Sequence, residues 1–170
     1  MKWLGALLII VAASWAGYAA ALKYRERTRQ VRQLKVALQT LEAEIVYSLT
    51  PLNEAAEKIA AMITFPVSEF FFTFSNKLSE GNASVPEAWN ASLNEIKPLM
   101  CLEKNELEIL KQFGATLGQH DREHQQKQIR LALLHLEKEE AEAKDEQLKY
   151  EKMTKSLGLL GGLLIVILLI

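Results

Sequence analysis

The chain has 170 residues, the length of one domain, with 20 basic against 21 acidic side chains, a net charge of −1, 49% apolar residues and a single cysteine. That balance excludes a nucleic-acid surface built on bulk positive charge, and one cysteine excludes an internal disulfide framework. The averages conceal a segregated chain, because both ends are far more apolar than the middle.

From Trp3 to Leu22 no residue is charged, a stretch of about 30 Å if helical, which matches the hydrocarbon thickness of a bilayer. Lys23, Arg25, Arg27, Arg29, Arg32 and Lys35 follow at once, opposed only by Glu26, whereas Lys2 alone precedes the run. Ala19-Ala20-Ala21 resembles a leader cleavage site, but a block of positive charge directly behind it resists translocation. The segment therefore reads as a retained transmembrane helix with the following residues on the cytoplasmic side. A second uncharged run, Leu157 to Ile170, is preceded by Lys149, Lys152 and Lys155 and has the same sense. It is short, about 21 Å as a helix, and its glycines at 158, 161 and 162 suit close packing against a neighbouring membrane helix. The expected organisation is an anchor at residues 1–22, a cytoplasmic helical domain at 23–155 and an anchor at 156–170. Arg25, Arg27, Arg29 and Arg32 are the expected membrane-surface residues, each worth about 1 kcal/mol near anionic headgroups.

The middle is helical by pattern. Val31, Leu34, Leu38, Leu41 and Ile45 recur at three and four, a stripe continuous with the first anchor and running to Thr50. There Thr50 is placed to cap a second helix with Pro51 at its first position, reaching about Ile63 ahead of Pro66. A third helix spans Val67 to Glu80 and carries Phe70, Phe71, Phe72 and Phe74, too crowded to share one face, so some must meet lipid, a partner or neighbouring helices. Gly81 ends it as a left-handed cap, and Ser84-Val85-Pro86-Glu87 opens a fourth helix as a capping box with Trp89 and Leu93 as core anchors, ending at Pro98. A fifth, from about Glu103 to Gly114 or Leu117, aligns Leu107, Leu110, Phe113 and Leu117. Asp121 then caps a long last helix bearing Ile129, Leu133 and Leu136, whose charged tract from Glu137 to Lys155 reads as a solvated face. The expected fold class is all-α, a bundle of about six helices flanked by two transmembrane helices.

Little in the chain points to chemistry. His120-Asp121-Arg122-Glu123-His124 fits the inverted zinc-peptidase spacing, with two histidines one turn apart. Asp121 is better used as a helix cap, which puts the pattern on an exposed helix start rather than in a cleft. His135 lies between Leu134 and Leu136 without an acid-base partner in sequence, and Cys101 reads as a small half-buried hydrophobe. Neither Asn82-Ala83-Ser84 nor Asn90-Ala91-Ser92 needs glycosylation to explain it.

Six segments in order carry a resemblance: Arg-Gln-Val-Arg-Gln-Leu (29–34), Leu-Glu-Ala-Glu-Ile-Val-Tyr (41–47), Thr-Pro-Leu-Asn-Glu-Ala (50–55), Glu-Ala-Trp (87–89), Leu-Gly-x-x-Asp-x-x-x-Gln (117–125) and the apolar tail 157–170. Over nearly the whole chain they resemble the stage III sporulation protein AB family of endospore-forming bacteria. Thr50-Pro51-Leu52 with Glu54-Ala55, and Gly81 ahead of Val85-Pro86-Glu87-Ala88, are similar to the helical domain of the type II secretion F and type IV pilus platform proteins. The resemblance implies a platform component of the channel between mother cell and forespore, on the mother-cell side of the outer forespore membrane. It also implies contact with a secretion-type ATPase and other channel subunits, and neither a cofactor nor catalytic residues. Secretion platforms carry two such domains and more spans, so a single-domain chain would dimerise or borrow partners. Leu117, Gly118, Asp121 and Gln125 are the candidate partner contacts, because the motif falls on a polar helix start. The alternatives are a membrane-bound zinc peptidase using His120, Glu123 and His124, and a helical receptor or lipid-binding module.

Overall fold

The computed structural model describes residues 2–119 and 121–169, with backbone only for 2–17, 19, 20, 155 and 158–169. Among these the chain is all-helical: α1 (Lys2–Glu42), α2 (Leu52–Met62), α3 (Val67–Ser79), α4 (Val85–Ile96), α5 (Lys104–Thr116) and α6 (Arg122–Leu169). A π-helical turn, Ala43–Tyr47, extends α1, and a 3-10 turn, Lys97–Leu99, follows α4. The helices form a closed ring in chain order, each against the next, with α6 returning to α1 in the longest pairing of all. Among the described residues no helix is long and apolar enough to cross a membrane. Both expected spans, 3–22 and 157–170, fall almost wholly outside the residues whose side chains are described; their backbone to Leu169 is helical and continuous with α1 and α6.

The three-and-four stripe of α1 is the spine of the core: Val31, Leu34, Leu38 and Leu41 are fully buried, joined by Ala37. Opposite it stands Trp89 of α4. Phe70, Phe71, Phe74 and Phe113 surround the indole edge to face, with centroids 4.7, 5.9, 5.0 and 5.3 Å away. Such pairs add about 0.5–1.5 kcal/mol each beyond area burial. The indole N–H, which burial would otherwise orphan, donates to the Leu110 carbonyl at 2.8 Å. That approach requires glycine at 114, where a Cβ would lie 2.0 Å from Trp89 Cδ1. Of the four crowded phenylalanines of α3 only Phe72 is left in solvent, 48% exposed.

The ends of the short helices follow local chemistry. Gly81 sits at φ +69°, where a side chain would be strained. The Glu87 carboxylate accepts from both the amide (2.9 Å) and the hydroxyl (2.7 Å) of Ser84, and is held below the usual carboxylate range by those two bonds. Thr50 departs from expectation. Its hydroxyl donates to Glu44 Oε2 at 2.5 Å, an acceptor shared with Lys58 Nζ at 2.8 Å, so Pro51 rather than Thr50 is the residue before α2. The connection turns through Leu49 at φ +58°, a conformation that costs a non-glycine residue about 1 kcal/mol or more.

Candidate functional site

The polar chemistry of the molecule concentrates where α1 and α6 pair. Arg27, 4% exposed, lies between α5 and α6 with four carboxylates around it. Its Nε donates to Glu106 Oε1 at 2.7 Å and its Nη1 to Glu146 Oε2 at 2.6 Å, with Glu103 at 3.3 Å and Glu139 at 3.8 Å. Glu106 is fully buried and gains a second donor, the Glu103 amide at 2.9 Å, because it also closes the capping box of α5. Burial works against the Arg27 charge, but the hydrogen bond to Glu106 and the Glu106, Glu103 and Glu146 charges outweigh it, and the guanidinium titrates even higher than usual. Glu139 goes the other way. Burial first, then the Glu106 and Glu142 charges, push its carboxyl up, and its Oε2 is buried without a hydrogen-bond donor.

This layer continues along the helix pair. Toward the apolar ends Tyr24 stacks on Tyr150 at 3.9 Å, and the hydrogen bond between them, with burial, pushes Tyr24 up to about 12. In the other direction Glu140 takes Arg32 at 2.8 Å and Lys35 at 3.0 Å, and Glu42 takes Arg130 at 3.1 Å. These contacts pair an ascending residue with a descending one in a constant register, so α1 and α6 are antiparallel along their described length.

The expected membrane-surface set therefore divides. Arg27 is buried in the carboxylate layer. Arg32 is bound to Glu140, and Arg29 to Glu26 and to the Phe65 carbonyl at 2.9 Å. Arg25 is the most exposed, 4.0 Å from Glu151. The tract from Glu137 onward is only in part a solvated face, since Glu139 and Ala143 are buried and Glu140 and Glu146 face α1. The reason is common to both: basic and acidic residues 79 to 119 positions apart become neighbours once the helices pair.

The candidate partner contacts divide as well. Leu117 is 2% exposed and belongs to the core. Gly118 is exposed at φ +76°, with the position of a Cβ 3.2 Å from Val85. Asp121 is exposed and caps α6, its Oδ1 accepting the His124 amide at 3.1 Å, and Gln125 is half-buried above it. In the zinc-peptidase pattern, exposed Glu123 pairs with Lys127 at 2.8 Å and exposed His124 lies beside half-buried Gln128, while His120 lies outside the described residues. Among the described residues no three metal-type ligands gather.

Two residues on the same end escape a reading by periodicity. Tyr47 and Leu49 are 70% and 54% exposed, and the Tyr47 hydroxyl meets Gln126 Nε2 at 3.2 Å, one residue from Gln125. Tyr47 falls off the stripe that ends at Ile45, whereas Leu49, four residues past Ile45, would continue it and is turned outward by its own φ of +58°. Elsewhere the described surface has concavities at α2–α3 and at α1–α6. A groove of about 450 Å³ between α2 and α3 is lined by Glu57, Ala60, Ala61, Ser68, Glu69 and Phe72. A crevice of about 280 Å³ between α1 and α6 is lined by Tyr18, Ala21, Leu22, Arg25, Glu151 and Thr154.

Among the described residues, short helices closed into a ring by two long antiparallel terminal ones, with ion pairs along the seam of that long pair, define an all-helical bundle. The family model of stage III sporulation protein AB matches residues 2–170. Stage III sporulation protein AB of Bacillus subtilis (strain 168) is 53% identical over 169 residues, covering 99% of each chain. A solved structure of stage III sporulation protein AB superposes with a TM-score of 0.70 at 52% identity, covering 73% of this chain and 98% of that one. The chain belongs to the stage III sporulation protein AB family.

Proposed function

We propose that the protein is a two-span membrane platform whose bundle, residues 23–155, stands on the cytoplasmic face between anchors at 1–22 and 156–170 and binds protein partners. The observation that carries this reading is the antiparallel register of α1 and α6. Continued past Tyr24 and Tyr150, it brings the uncharged runs of both helices to one end of the molecule, side by side. The basic residues on the bundle side of each run support the cytoplasmic placement. Arg25, beside the crevice at Tyr18 and Leu22, is the residue best left to meet a headgroup.

The far end of the bundle is then the partner face. Gly118, Asp121 and Gln125 share it with Tyr47 and Leu49, an exposed pair of which Leu49 is held by a strained backbone, which suits contact better than solvent. Membership of a sporulation family supports a place in the channel between mother cell and forespore, on the mother-cell side, with a cytoplasmic secretion-type ATPase as the partner. Topology is tested by thiol labelling of an introduced cysteine, Leu49→Cys, in Cys101→Ser full-length chain. A membrane-impermeant reagent should label it in inside-out vesicles and fail in intact cells; labelling in intact cells inverts the topology. Partner binding is tested by co-purification of the ATPase with full-length chain, expected to fall with Tyr47→Ser and Leu49→Ser while the bundle stays folded. Co-purification unchanged by both substitutions removes the partner face.

A further inference from the structure

The groove between α2 and α3 has an apolar floor, Ala60, Ala61 and the exposed ring of Phe72, and an acidic rim, Glu57 and Glu69, neither of which has an ion-pair partner among the described residues. An apolar slot with free carboxylates on both walls is complementary to a helix that presents a large aliphatic side chain between basic ones. The chain itself carries such a surface. On the outer side of α6, Leu131 and Leu134 are 49% and 63% exposed, and Lys127, Arg130 and Lys138 stand around them, exposed although each has an acidic neighbour within the chain, Glu123, Glu42 and Glu142. Neither leucine is needed by the bundle, whose core takes Ile129, Ala132 and Leu136 from the same helix.

Two geometric facts join the surfaces. The first is height. Thr64, at the turn after α2, accepts from Arg29 and Gln33, so the groove begins level with that part of α1 and extends one to two turns farther from the apolar ends. Glu137 and Glu140 are level with Lys35, which puts Leu134 and Lys138 at the height of Ala60, Ala61 and Phe72. The second is direction. In a ring that runs α1 to α6 in order, α3 and α6 stand across the core from each other, so their outer faces look opposite ways.

We infer that the α2–α3 groove receives the Leu131–Leu134 face of α6 from a second copy of this chain. The contact is heterologous and lateral, head to tail, and it repeats around a ring or along a row in the plane of the membrane. It rests on the two-span reading in one respect: equal height matters because the anchors hold every copy at one level and one orientation. Glu57 and Glu69 take the exposed basic side chains that flank the inserted leucines in exchange for their pairs with Glu123, Glu42 and Glu142, and Phe72 covers the leucines.

The test uses full-length chain with Cys101→Ser in lipid vesicles. Oxidation of Ala61→Cys/Leu134→Cys should give a ladder of dimer, trimer and higher species, and neither single-cysteine variant should give one. Adding Lys138→Glu should lower the ladder yield roughly two- to fivefold, the range for one exposed ion pair, and Glu69→Lys in the same chain should restore it. A cross-linked dimer from Leu134→Cys alone, which reports a two-fold contact, overturns the inference. So does absence of the ladder. An alkaline wash of the same vesicles reads anchoring separately: chain that stays in the pellet without a ladder refutes the contact alone, and chain that washes off with a ladder intact refutes the anchoring alone.

Discussion

Replacing Arg27 with methionine keeps the length and apolar stem of the side chain and removes its charge. In the native bundle the guanidinium supplies one of the two donors to fully buried Glu106 and is the counter-charge to buried Glu139. Removing one partner of a buried pair costs about 3–5 kcal/mol, because the remaining carboxylate is left without compensation. A domain of this size loses about 2–4 °C per kcal/mol, so thermal unfolding of the full chain in detergent, followed by circular dichroism, should shift down by roughly 6–20 °C. The loss should shrink as the pH is lowered from 7 toward 5. Burial already pushes the Glu139 carboxyl up, and the variant removes its counter-charge, so its penalty is absent below the unfolded value and grows as pH rises from there to the raised folded-state value. Arg27→Met combined with Glu106→Met should recover most of the stability, since the uncompensated charge leaves with its partner. A single-variant loss below about 1 kcal/mol, or a double variant no better than the single, would refute the account of this layer as the lock between α1, α5 and α6.

Three further outcomes follow from the same geometry. Gly114→Ala should cost about 1–3 kcal/mol or more and red-shift the tryptophan fluorescence of a chain whose other two tryptophans are replaced by phenylalanine, because Trp89 must leave its seat on the Leu110 carbonyl. Ser84→Ala should cost about 1 kcal/mol in urea unfolding with the slope unchanged, as loss of a helix cap does. At Glu140, burial is outweighed by hydrogen bonds from Arg32 and Lys35, which hold the carboxyl below the usual carboxylate range. A lowered folded-state value contributes stability that is complete above the unfolded value and is lost as pH falls through the folded one. Replacing both basic residues by alanine should flatten that acid-side decline in unfolding measurements between about pH 5 and 3.

Relations within one or two helical turns are legible in the order of amino acids alone. The spacing of Val31, Leu34, Leu38 and Leu41 places them on one face whatever surrounds the helix, and all are buried. Ser84 and Glu87, and Gly81 with its positive φ, are read the same way, because a cap is decided by atoms three or four residues apart. Trp89 is recognisable as an anchor from its place after the capping box, and the six ordered segments carry the family. Even at this range the boundary can move by one residue, as Pro51 precedes α2 while Thr50 donates to Glu44.

What the tertiary structure decided are relations between distant segments. Arg27 and Glu106 are 79 residues apart, and nothing in either one's surroundings in sequence tells that the first is buried against the second rather than facing lipid. Which of four closely spaced phenylalanines stays outside, and that Leu117 turns inward while Gly118 and Asp121 stay at the surface, depend equally on how each helix is rotated about its axis. Spacing fixes the angles between residues of one helix. Rotation and register are set by packing all six around Trp89 and the α1 stripe, a sum over contacts that no single segment contains.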